Sequence, residues 1–130
     1  MTLLTIDDVE QYLETLLDTF PPALFEELNG GVTLEEATRD DPEFPAGEVY
    51  IMGEYIVDYL GNSIVLYYGS MVEIAKKEQW DLADWQKELK DTFSHELTHH
   101  MEWRSGTKAL DVKDALELEA MRQAFQEEQV

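Results

Sequence analysis

The stretch Leu82–Glu102, LADWQKELKDTFSHELTHHME, carries apolar side chains at Leu82, Trp85, Leu89, Phe93 and Leu97. Steps of three and four residues put all five on one side of a helix, because each residue turns the chain by roughly 100°. His95 and His99 sit four residues apart in the same stretch, so their imidazoles project about 40° apart, one turn above the other. The apolar stripe is centred more than about 90° away from them. The histidine pair therefore belongs to a different face from the core. His100 falls on the core side and is expected as a buried, hydrogen-bonded histidine.

Two imidazoles at this spacing can both reach one Zn²⁺ at about 2.0–2.1 Å. Glu96 directly follows the first histidine and is placed to take a proton from a water whose pKa zinc lowers to about 7. The segment His95-Glu96-Leu97-Thr98-His99 thus offers His95 and His99 as metal ligands and Glu96 as the general base for attack on a peptide bond. All three histidines of the chain fall within the six residues from His95 to His100. Zinc needs a third protein ligand. Glu102 shares the face, but ligands seven helical steps apart would span about 10.5 Å of axis. A contact to a ligating histidine suits it better than direct ligation. Asp111 and Asp114 lie beyond Gly106, where the chain can reverse and bring a carboxylate back, although either could equally cap a last helix.

Outward from this helix, Ile6, Val9, Tyr12, Leu13, Leu16, Leu17 and Phe20 repeat at helical spacing, with Thr5 as cap and Pro21-Pro22 as stop. A short helix is expected over Ala23–Leu28, a brief strand at Val32–Leu34, and a loop over the acidic stretch Glu35–Pro45. Glu48–Met52 and Tyr55–Tyr59 read as strands separated by Gly53. Ile64–Tyr68 is a continuous apolar run, the pattern of a strand covered on both faces and ended by Gly69-Ser70. A short helix follows over Met71–Lys77. Gly106 is the expected end of the histidine-bearing helix, and a last helix begins near Asp111–Asp114 and turns Leu118, Met121 and Phe125 inward.

The chain has 130 residues, 44% of them hydrophobic, and no cysteine. That length fits one domain spanning 1–130, and the apolar share can fill a core. Without thiols, any metal must be held by His, Asp or Glu. A formal charge of -20 argues against nucleic-acid and anionic-membrane partners, which would repel such a field. The N-terminal residues form no basic leader, and no run nears the roughly 18 apolar residues of a membrane span. A cytoplasmic protein is the expectation.

Leu28-Asn29-Gly30-Gly31-Val32, Tyr50-Ile51-Met52-Gly53-Glu54-Tyr55, Ile64-Val65-Leu66-Tyr67-Tyr68-Gly69-Ser70 and His95-Glu96-Leu97-Thr98-His99-His100-Met101-Glu102 together resemble the small bacterial zincin-like metallopeptidases, or mini-zincins. The likeness runs from about Phe20 to the last helix. It implies a minimal zincin fold of class α+β, with a small sheet packed on the histidine-bearing helix and helices at both ends. It also implies one zinc per chain and a peptide or protein substrate, paired to an edge strand for which Glu48–Tyr59 is the candidate. Members with a compact motif carry Gly three residues after the second histidine and Asp three further on. Here Glu102 and Ser105 stand at those positions, so the resemblance points to Asp114, opening the last helix, as third ligand ahead of Asp111 and Glu102.

The sequence therefore leads to a zinc-dependent peptidase in which Glu96 activates water. Its alternative is a catalytically weak or inactive binding or assembly module on the same scaffold. Either reading admits a homodimer. Tyr67 and Tyr68 offer hydroxyls that could assist, at places the sequence does not fix.

Overall fold

The computed structural model describes residues 1–107. The order is helix α1 (Ile6–Leu17), a 3-10 turn (Pro22–Phe25), strands β1 (Gly31–Glu35), β2 (Gly53–Asp58) and β3 (Gly61–Tyr67), then helices α2 (Tyr68–Glu78) and α3 (Leu82–Thr107). Among the described residues it is an α+β arrangement of a three-stranded sheet and three α-helices. The expected last helix, with Asp111, Asp114 and Met121, lies outside the described residues.

Helix α1 starts with a reciprocal cap: the Thr5 hydroxyl accepts from the Asp8 amide at 3.2 Å, and the Asp8 carboxylate accepts from the Thr5 amide at 3.1 Å. The helix stops at Leu17 rather than at Phe20. A residue before proline is pushed out of helical geometry, and here the Thr19 and Phe20 amides already turn tightly onto the Leu16 and Leu17 carbonyls. The expected helix at 23–28 is the shorter 3-10 turn.

In the sheet β3 lies centrally, parallel to β1 and antiparallel to β2. Asn62, Ile64 and Leu66 of β3 are buried on one face, while Ser63 and Val65 on the other are half-buried. The run is thus fully covered on one face only. Its last residue, Tyr68, already belongs to α2, and Gly69-Ser70 form the first turn of that helix instead of a break. Gly69 is needed for contact: a Cβ there would collide with the Thr38 hydroxyl and the backbone of Ala37 and Thr38. Glu48–Met52 are not a strand. They hold one isolated bridge, Asp40 to Tyr50, and β2 begins at Gly53.

Helix α3 is capped by Asp81, whose carboxylate accepts from the Asp84 amide while Asp84 returns the bond. It packs across β2 and β3, with α1 against its side. Trp85, Leu89, Phe93, Leu97 and Met101 are buried with Val9, Leu13, Ile64, Leu66, Met71 and Ala75 in one cluster. Truncating a side chain such as Phe93, which meets Phe20 edge-on at 5.2 Å, would cost about 3–5 kcal/mol. Leu82 departs from the expected stripe at 50% exposed, because the helix enters the core only at Trp85. Gly106 does not stop α3, which runs through it to Thr107. Among the described residues no helix is long and apolar enough to cross a membrane.

Candidate metal centre

His95 and His99 stand on the outer face of α3, and their Nε2 atoms meet at 3.1 Å with the rings edge to face. Glu96 is rotated from them toward β2 and is 7% exposed. Ligand atoms of His95, Glu96 and His99 all lie within 4.8 Å of one another. The structure brings these three sequence-derived residues together.

The convergence depends on how closely β2 approaches α3. At Gly53 a Cβ would meet Thr92 and Leu66 at 2.9 and 3.0 Å and the Glu96 Cγ at 3.4 Å. Two residues on, the Tyr55 backbone amide faces the Glu96 carboxylate and favours its charged form. Strand pairing accounts for that direction. Tyr67 donates to the Met52 carbonyl at 2.8 Å, which marks a bonded antiparallel pair. Residues 53, 55 and 57 then turn their amides away from β3.

Burial raises the Glu96 pKa above the ordinary carboxylate value; His99 and the Tyr55 amide oppose the rise, and Glu54 adds to it. A proton acceptor shifted upward in this way retains more basicity for taking a proton from water. Glu54 is fixed at the rim by Arg39 Nε at 2.7 Å and by the Tyr67 hydroxyl at 3.0 Å.

His100 is fully buried, as its helical angle suggests. Its Nε2 meets the Glu26 carbonyl at 2.7 Å and its Nδ1 the Tyr55 hydroxyl at 2.7 Å. Asn62 Nδ2 in turn donates to the Tyr55 oxygen at 2.6 Å. Burial pushes the His100 pKa down, and Arg104 adds to that effect.

The histidines and Glu96 open into a groove of ≈ 740 Å³ lined also by Gly53, Tyr55 and Trp103. Two imidazole nitrogens beside a buried carboxylate, with no thiol, make a donor set suited to zinc. Their 3.1 Å separation lies inside the roughly 4.2 Å over which one ion could touch both. Glu102 lies at the other end of the His99 ring, with Oε2 3.7 Å from Nδ1. Asp111 and Asp114 fall outside the described residues. Neither tyrosine hydroxyl named from the sequence joins the three: Tyr67 is bound to Glu54 and Arg39, and Tyr68 donates to the Leu4 carbonyl.

Sequence reasoning placed Gly53, Glu54 and Tyr55 only within the Glu48–Tyr59 candidate edge strand and gave Asn62 no role. The run Gly53-Glu54-Tyr55 gave a signal, a glycine flanked by β-forming residues, which marks close backbone approach as readily as a break.

The chain is similar to a conserved hypothetical protein from Thermus thermophilus whose structure has been solved. The two are 30% identical with a TM-score of 0.69, and the match covers 80% of this chain and 100% of that one. No family model matches the chain, and no curated protein does.

Proposed function

We propose that this chain, which belongs to one family with the Thermus thermophilus conserved hypothetical protein, is a zinc-dependent peptidase with a minimal zincin-like fold. The observation carrying the reading is the meeting of the His95 and His99 Nε2 atoms beside the buried Glu96 carboxylate. When bound there, zinc would supply Lewis acidity that acidifies water and polarises a carbonyl. His95 and His99 would hold it. The reading takes Asp114 as the carboxylate that completes the set, on sequence resemblance alone, with Asp111 and, beside His99, Glu102 as alternatives.

The remaining work falls to the chain's own groups. Glu96 accepts the proton of the attacking water and passes it to the leaving amine; its burial against β2 limits the orientations open to the carboxylate. Among the described residues no strand pairs with the outer edge of β2. The outward backbone groups of residues 53, 55 and 57 can therefore align an extended peptide along the groove. The negative charge of the chain favours basic segments over acidic ones.

Glu96→Gln tests the reading. It should leave zinc uptake intact while eliminating hydrolysis of a diverse peptide library. If the wild type and E96Q process that library identically, the peptidase reading fails and a binding module on this scaffold replaces it.

A further inference from the structure

His95, His99 and Trp103 follow one another at four-residue steps, each about 40° around α3 and about 6 Å along it from the last. The second step carries Trp103 off the histidine face toward the core face. There its ring stacks on His100, with centroids 6.2 Å apart and planes 10° apart. His100 is itself fully buried and bonded at both ring nitrogens, to the Glu26 carbonyl and the Tyr55 hydroxyl. The indole thus rests on a fixed imidazole, and it also lines the groove.

Strand β2 follows the same path. Gly53 approaches Thr92 and Glu96, the Tyr55 hydroxyl reaches His100, and Val57 lines the groove with Trp103. Alternation along the strand turns the Tyr55 and Val57 side chains to one face, the face toward α3. Tyr55 is engaged there with His100, yet Val57 stays 51% exposed. This end of the groove therefore offers two apolar walls, one from the strand and one from the helix. Such surface gains free energy when an apolar group replaces the water against it.

We infer that Trp103 is a specificity-determining residue: with Val57 it receives a bulky apolar side chain, aromatic or branched, of the peptide. This rests on the reading of the groove as a peptidase site. A peptide paired to β2 advances about 3.3 Å per residue, so the selected side chain lies within about three residues of the bond attacked. A flat, rigid indole suits the role because little side-chain freedom is lost on contact. Glu54 and Glu102 on the same lining disfavour an acidic side chain.

Cleavage sites in a proteome-derived peptide mixture would be read by mass spectrometry for the wild type, Trp103→Ala and Trp103→Phe. The wild type should prefer Phe, Tyr or Leu over Ala by about tenfold or more at one position. W103A should lose that preference at that position alone, with zinc content unchanged, and W103F should keep most of it. A W103A profile identical to that of the wild type would overturn the inference. A second readout needs no hydrolysis. Of the three tryptophans, Trp80 and Trp85 are 3% and 2% exposed, so acrylamide quenching of fluorescence reports chiefly on Trp103. In Glu96→Gln equilibrated with zinc, a peptide pool rich in Phe and Leu should protect against quenching. The same pool with Ser in their place should not. Equal protection by both pools, or by neither, would also overturn the inference. Quenching decides the matter if W103A does not fold or if the wild type hydrolyses nothing, and the latter result by itself ends the peptidase reading.

Discussion

Gly53 of β2 lies so close to Glu96 of α3 that a Cβ on the glycine would stand 3.4 Å from the glutamate Cγ, with Thr92 nearer still at 2.9 Å. The groove therefore depends on a backbone approach that only glycine permits without movement. Gly53→Ala should cost about 1–3 kcal/mol as β2 lifts from the helix. The urea midpoint of the variant should fall accordingly, and an unchanged midpoint would show that β2 is not held against α3 at this point.

Glu102 approaches His99 from the ring nitrogen opposite to the one that faces His95. A carboxylate there orients the imidazole and strengthens it as a ligand. Glu102→Gln should weaken zinc binding by about 10–100-fold at unchanged stoichiometry. Competition against a chelator of known affinity measures this. Complete loss of zinc from E102Q would make Glu102 a direct ligand instead.

The legible parts of this chain were those with local periodicity. The Trp85–Leu97 stripe and the angle of His95 and His99 to it follow from helical rotation alone, and so does the burial of His100. Glycine was harder to read, because the residue that breaks elements also lets them touch. Gly53 reads as a gap between two strands yet opens one, and Gly69 reads as a stop yet starts α2. Both positions answer to neighbours distant in sequence, Thr92 and Thr38. The role of Tyr55 is equally non-local, since the partners of its hydroxyl, Asn62 and His100, meet only through the hairpin and the helix packed on it.

Burial holds the His100 pKa below its ordinary value of about 6.5. As pH falls through that value, the unfolded chain takes up a proton that the folded chain refuses. Stability should therefore decline from pH 7.5 to 5.5, and this contribution is fully present only above the unfolded pKa. Urea denaturation at the two pH values should show a steeper loss in the wild type than in His100→Asn. Equal losses in both would mean that His100 titrates normally in the folded protein.

The chemistry proposed for this groove requires the two Nε2 atoms, 3.1 Å apart, to converge on a single divalent ion. Zinc content should be measured by mass spectrometry on purified wild type and on His95→Ala, after equilibration with excess zinc and removal of the unbound ion. Close to one zinc per chain is expected in the wild type, and none retained in H95A. A wild type that retains no zinc, or an H95A variant that retains as much as the wild type, would refute the metal centre.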